Sequence, residues 1–467
     1  MYKTEEYKVY YENNIKLLKK NYNQIYKDII KIIPNKNFYE VIKTKTNQLT
    51  LQIIKENKSI YLHSKYNPTR EAKNIAEENY DLNVQNYIIF GLGFGYHVEQ
   101  LMKIAPNANF YILETNKEIF RLAVDNVDLT SIIDNNRIHL YVSDDIPQIS
   151  KIFNNILLLD DMKIVLHNTF LKIIPNHLLE IKHLLEEFKM KEKSVEKFTP
   201  LLEQNFKVNI ENYDKNVDIL FNKFKNIPLY IISAGPSLDK NIKELKKVKG
   251  IILSVGRAVR PLLKEGIAPN LIIITDPQQF VYDRQLKDLH IDVPIIVLST
   301  CDKNIMLKYK GQKLIALQEG YLMAEKYARE NKNKLIQTGG SVATTALDVA
   351  INMGCNPIIF VGQDLAYTNN KTHSKATNFE DITVNDKLRE VEDVYGNKVY
   401  TPKNLHSYLR WIQNRIKVEK DIKFIDATEG GARIMGTEVL TLRETIEKYS
   451  KRVLHNKIEL KNLYSCR

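Results

Sequence analysis

The sequence predicts an α/β protein with two Rossmann-like units in tandem, flanked by N-terminal and C-terminal helical segments. Three observations predict it. Short apolar runs recur, at residues 87–90, 229–232, 271–274 and 357–361 among others, and polar-free runs of that length mark strands buried on both faces. Helix-length segments separate the runs, as in βαβ units with a parallel sheet. Small and polar residues follow the runs: glycines at 91, 93 and 95, Ala-Gly-Pro-Ser at 234–237, Gly256-Arg257, Thr275-Asp276-Pro277-Gln278 and Gly362-Gln363-Asp364. Parallel strands bring such tips to one edge, where ligands of open α/β sheets bind.

At 467 residues the chain is long enough for two to three domains. Its 44% hydrophobic and 27% charged content is that of an ordinary globular protein. The net charge of +12 is dispersed, which suits an anionic ligand and equally a Lys- and Asn-rich coding bias. Cys301, Cys355 and Cys466 have no paired spacing, so neither a disulfide framework nor a zinc site is expected. No signal-peptide layout opens the sequence, and no run reaches the ~18–20 apolar residues of a membrane span. A cytoplasmic protein without stable membrane insertion is the expectation.

Residues 1–85 read as a docking helix closed by Pro34, then a small antiparallel strand element over 38–62. Residues 86–177 form the first Rossmann-like domain, with strands at 87–90, 109–113 and 138–142 and a further one at 162–166. Its G-x-G-x-G turn is closer to a methyltransferase-like turn than to a dinucleotide fingerprint. In one reading Gly91, Gly93 and Gly95 admit a ligand and Glu114 accepts ribose hydroxyls. In the other, which we expect, the unit is a scaffold without cofactor. Residues 178–227 read as a helical connector interrupted near Pro200, residues 228–400 as the second α/β domain, and residues 401–467 as helical. That last segment carries the sole tryptophan, Trp411, and an irregular glycine-rich loop at 426–433.

The 338–374 stretch is the most informative. Thr338, Gly339, Gly340 and Ser341 can satisfy the free N–H groups of a helix start, where partial positive charge lies. The buried strand that follows ends in Gly362, Gln363, Asp364 and Tyr367, then Thr372-His373-Ser374. At the other tips, Gly235 and Pro236 shape a close-approach turn and Ser237 can cap the next helix. At the next two tips, Gly256-Arg257 and Thr275–Gln278, Arg257 suits phosphate, and Asp276 suits hydrogen bonding to a ligand hydroxyl or coordination of a metal. No Gly-Lys-Ser/Thr ending follows the Ala-Gly-Pro-Ser turn, so it is not a Walker A loop.

Ser-Ala-Gly-Pro-Ser-Leu-Asp (233–239), Ser-Val-Gly-Arg-Ala (254–258), Thr-Asp-Pro-Gln (275–278), Thr-Gly-Gly-Ser-Val (338–342), Gly-Gln-Asp-Leu-Ala-Tyr (362–367), Thr-His-Ser (372–374) and Ala-Thr-Glu-Gly-Gly-Ala-Arg-Ile (427–434) resemble the motility-associated factor (Maf) flagellin glycosyltransferases. The likeness runs over residues 85–440 in the family's order. It implies transfer of a nonulosonic acid, of pseudaminic or legionaminic type, from a CMP-activated donor to serine or threonine hydroxyls of flagellin. It further implies that the second domain resembles the metal-independent sialyltransferases, with the donor at Gly235, Pro236, Ser237, Gly256, Arg257, Asp276, Gln278, Thr338, Gly339, Gly340, Ser341 and Gln363. In that scheme His373 takes the acceptor's proton, Asp364 orients and Tyr367 steadies the leaving phosphate. A histidine titrating near ~6.5 suits the base. No Asp-x-Asp motif stands where a metal-dependent transferase needs one, so neither metal nor cofactor is expected beyond the co-substrate. No nucleic-acid partner is expected.

The runner-up is a pterin pyrophosphokinase, which shares the Gly-Pro-Ser and Asp-Pro turns. It would use ATP and magnesium held by Asp276 and Asp364. A catalytically silent flagellin-binding protein is the third reading.

Overall fold

A computed structural model describes residues 5–55, 58–156, 161–367 and 388–450. It divides into two units, Met1–Glu192 and Lys193–Arg467.

In the first unit, β1 (Tyr39–Lys43), β2 (Leu49–Lys55) and β3 (Lys58–Tyr61) make an antiparallel sheet in that order. A parallel sheet follows from β4 (Asn86–Phe90), β5 (Asn109–Glu114), β6 (Ile138–Val142) and β7 (Met162–Leu166), in the order β6-β5-β4-β7. The chain moves outward from β4 through β5 to β6, then returns to β4's other side, so the β4/β7 boundary is the switch point. The expected docking helix is two helices, Glu5–Asn21 and Asn23–Ile29. They part at Tyr22, whose phenol donates to the Ile138 carbonyl. Buried Asn14 anchors the first by donating to the Val124 and Val127 carbonyls and accepting from Leu129 N–H.

The second unit is built on a ten-stranded sheet. Its strands are β8 (Lys215–Asn216), β9 (Leu229–Ile232), β10 (Ile251–Val255), β11 (Leu271–Ile274), β12 (Ile295–Leu298), β13 (Lys313–Gln318), β14 (Leu335–Ile336), β15 (Ile358–Val361), β18 (Phe424–Asp426) and β19 (Glu438–Val439). The order is β14-β13-β12-β11-β10-β9-β15-β18-β19, with β8 beside β13, and the pairs are parallel. Every residue of β9, β10, β11, β12 and β15 is buried, which is why those segments read as short apolar runs, broken only by Ser254 in β10. The chain leaves β9 through β10 toward β14, then returns to β9's other flank as β15. The switch point therefore falls between β9 and β15.

Two local readings are corrected. The tail is not wholly helical: it supplies β18 and β19, and an antiparallel hairpin of β16 (Leu388–Glu392) and β17 (Lys398–Pro402) lies just before it. Strands of two or three residues are too short to show an alternation. Nor does the helix Leu179–Asn209 break at Pro200, which lies inside it; proline removes one donor, and the helix continues past that loss.

The helix Val342–Asn352 starts with a capping box between Ser341 and Thr344, as the small-residue turn leads one to expect. Ser341→Ala is expected to cost about 1 kcal/mol, read from the denaturant midpoint. Against this helix lies Lys403–Val418, pinned by an ion pair in which half-buried Arg415 Nε reaches buried Asp348 Oδ1 at 2.9 Å. Among the described residues no helix is long and apolar enough to cross a membrane.

Candidate active site

The glycine turn after β4 is filled by the protein's own side chains. Glu114, 2% exposed, ends β5 and turns back onto the turn. Its Oε2 accepts from Leu92 N–H (2.9 Å) and Gly93 N–H (3.1 Å), and its Oε1 from Asn116 N–H (2.9 Å). Burial raises its pKa against those hydrogen bonds. A Cβ on Gly91 would overlap the Phe170 ring, and one on Gly93 would stand 2.7 Å from Phe170 and 2.8 Å from His63 Nε2. Glu114→Ala is expected to destabilise this unit by about 2 kcal/mol by orphaning two buried donors and the half-buried Asn116 N–H. Denaturant unfolding would show it.

Three buried histidines, His63, His97 and His167, surround Phe170 at this switch point. Donor atoms of His63, Glu71 and His167 lie within 4.8 Å of one another. A metal-bound imidazole normally donates through its second nitrogen. Here His63 Nε2 accepts from Phe94 N–H at 3.0 Å and His167 Nδ1 accepts from Thr169 N–H at 3.2 Å. With those bonds kept, the inward nitrogens carry protons. That donor set does not fit a cation.

The second unit's switch point is an interlock of polar groups. Ser233 Oγ donates to Gln363 Oε1 at 2.5 Å, joining the ends of β9 and β15. Ser237 Oγ donates to Asp364 Oδ2 at 2.7 Å, and Ser237 N–H lies 3.3 Å from both carboxylate oxygens. Ser237 thus does not cap the next helix, contrary to expectation, because its hydroxyl is given to Asp364. Gly235 N–H donates to the Gly362 carbonyl. Any Cβ on Gly235 would overlap Asp364 Oδ2 and stand 2.5 Å from that carbonyl oxygen. Gly235 is therefore required by the Asp364 carboxylate seated on its turn. Pro236 beside it is half-buried.

Beyond this interlock the predicted residues fall into separate groups. At β10's tip Gly256 is covered by the Gln285 side chain, and Arg257 is exposed. After β11, Asp276 Oδ1 accepts from Gln278 N–H at 3.0 Å in a local turn. The 338–341 turn meets the helix Lys403–Val418: a Cβ on Gly339 would stand 2.5 Å from Trp411 Cγ, and one on Gly340 3.3 Å from Tyr408. Gly339 makes room for an aromatic ring, and Gly339 N–H donates to Thr344 Oγ1. Thr338 and Ser341 are half-buried in the same turn. Tyr367 N–H donates to the Tyr400 carbonyl, and burial raises its phenol's pKa. His373 lies outside the described residues.

A third segment joins the interlock from β18. Thr428 Oγ1 accepts from Gln363 N–H at 3.3 Å, Ala432 N–H donates to the Asp364 carbonyl at 2.7 Å, and Gly431 lies against the Asp364 backbone. Asp426, 1% exposed, starts this loop: its Oδ1 accepts from Thr428 N–H at 3.1 Å.

Comparison with known proteins fits this architecture. Residues 42–171 match the glycosyltransferase Maf N-terminal domain family. The solved structure of MAf glycosyltransferase from Magnetospirillum magneticum AMB-1 resembles the whole chain, with a TM-score of 0.51 at 14% identity, covering 97% of this chain and 77% of that one. The chain is thus similar to the Maf glycosyltransferases, in sequence over residues 42–171 and in fold over most of its length. At 14% identity the structural likeness itself speaks for the fold. Residues 204–370 also match the 6-hydroxymethylpterin diphosphokinase MptE-like family. No curated protein matches the sequence.

In this chain, sequence reasoning brought the 233–237 tip, with Ser233, Gly235 and Ser237, to the same sheet edge as Gln363 and Asp364. It missed Thr428 and Asp426 as their partners. The 426–433 loop was visible, but its strand was not, so nothing placed Asp426 beside Asp364.

Proposed function

We propose that this protein is a glycosyltransferase that transfers a nonulosonic acid, of pseudaminic or legionaminic type, from a CMP-activated donor to serine or threonine hydroxyls of flagellin, in the cytoplasm. The observation that supports this most is the interlock at the β9/β15 switch point, where Gly235, Ser237, Gln363 and Asp364 converge. Open α/β sheets bind nucleotides at such a point.

The chemistry asks for three things. The departing phosphate needs a proton or hydrogen bond, and the Tyr367 phenol, its pKa raised by burial, stays a donor at neutral pH. The acceptor hydroxyl must lose its proton, and His373 is the base in this reading. The positive charge that develops at the sugar's anomeric centre calls for negative charge, and Asp364 supplies it while holding the Gly235–Ser237 turn in shape. No metal enters this scheme, and transfer is expected to survive chelation by EDTA. The first unit then serves as a scaffold.

The pterin reading draws support from the match over residues 204–370. It needs Asp364 as a magnesium ligand, yet both carboxylate oxygens lie against Ser237. The experiment is incubation with flagellin and a CMP-nonulosonate, followed by intact-mass analysis. Added sugar masses are expected. Magnesium-dependent AMP release from ATP and a hydroxymethylpterin, with no mass gain on flagellin, would establish the pterin chemistry instead.

A further inference from the structure

The 426–434 loop has no part in the scheme above, although it touches the site's backbone. Asp426 pairs in register with Phe360 of β15, just before the turn that carries Asp364. Its Oδ1 is committed to Thr428 N–H, and Thr428 in turn holds Gln363 N–H. Its Oδ2 is buried and has no hydrogen-bond partner among the described residues. A buried carboxylate oxygen without a donor is costly, so a merely structural role would favour asparagine or serine here.

We propose that Asp426 is a positioning residue for transfer: its carboxylate, next to Asp364 at the sheet edge, adds negative charge behind the developing cationic sugar and holds the Gln363–Asp364 tip through Thr428. This rests on the glycosyl-transfer reading and deepens it. An oxocarbenium-like transition state is stabilised by nearby fixed negative charge more than the neutral ground state is. Asp426 acts at second remove, through Asp364, and does not touch the sugar.

Among the described residues, the charged groups on the neighbouring segments are engaged elsewhere. Glu429 is turned to Asn241 and to Leu442 N–H, and Arg433 is paired with Glu392. Glu438 on β19 is engaged by Lys423 and Lys448. Lys240 donates to the Glu429 carbonyl. Burial pushes the Asp426 carboxyl up to about 6, opposed by the polar groups of Thr428 and the Ile434 backbone, none of which makes a hydrogen bond to Oδ2, and the nearby Asp364 adds to that rise. Ionisation of Asp426 is thus opposed by its burial.

The test is Asp426→Asn, which keeps the Oδ1 acceptor and removes the charge. Wild-type kcat is expected to rise with pH through about 6 as Asp426 ionises. In the variant that limb is expected to vanish, with kcat lower by roughly tenfold at pH 7.5 and KM for the donor little changed. At the same pH its melting temperature is expected to rise, because a buried charge is gone. An unchanged pH profile and kcat would overturn the proposal. So would a lower melting temperature with KM and kcat both worsened, the pattern of a purely structural residue. Absence of transfer by the wild type itself would overturn the functional reading and this inference with it.

Discussion

Gly235→Ala is expected to lower transfer by at least about a hundredfold and to destabilise the second unit by about 3 kcal/mol. The added methyl would overlap Asp364 Oδ2 and stand 2.5 Å from the Gly362 carbonyl oxygen. One of those neighbours is main chain, which gives little, and the other is a buried carboxylate held by Ser237. Overpacking of that kind costs ~1–3 kcal/mol, and a shift near 1 Å at reacting groups costs about 10²-fold in rate. Gly266→Ala makes a useful control. It has open space within 4 Å but a φ of +72°, so it is expected to cost about 1 kcal/mol through backbone strain alone and to leave transfer intact. Urea unfolding and single-turnover transfer separate the two variants.

Acidification is expected to unfold the first unit's switch point well before its ordinary histidines would suggest. Burial pushes the His97 imidazole down to about 3, with His167 nearby adding to the shift, and burial likewise holds His63 well below the usual range. The folded-state value lies below the unfolded one near 6.5, so between those values the unfolded chain binds more protons. Stability from the neutral ring is therefore intact above pH 6.5 and is lost as pH falls toward 3. For His97 alone the loss is on the order of 4–5 kcal/mol. Hydrogen exchange of β4 amides against pH reads it directly. His97→Gln, which can still donate to the Gly91 carbonyl in place of Nε2, is expected to flatten the slope.

How far the sequence reached depends on element length and on what each residue signals. The buried runs of β9, β11 and β15 were legible because every position is buried and the runs are almost wholly apolar. Strand order was not legible. It decides that Ser237 and Asp364 meet while Arg257 and Gln278 make separate turns. The glycines were legible as close approaches, but what approaches them was not. At Gly235 it is Asp364, at Gly256 Gln285, at Gly339 Trp411, and at Gly91 Phe170. A glycine reports that Cβ space is taken, and taken by a side chain from afar as readily as by a ligand. Glu114 illustrates the same limit: an acid after the second strand reads as a ribose acceptor, yet here it closes the turn on itself.

Hydrogen–deuterium exchange with and without CMP tests the location of the donor site most directly. Protection is expected in peptides spanning residues 229–241, 358–367 and 424–434, the three segments that interlock at the β9/β15 switch point. Protection confined to residues 86–97 or 162–170 of the first unit would contradict that location, as would none anywhere at CMP concentrations that support transfer from its sugar conjugate.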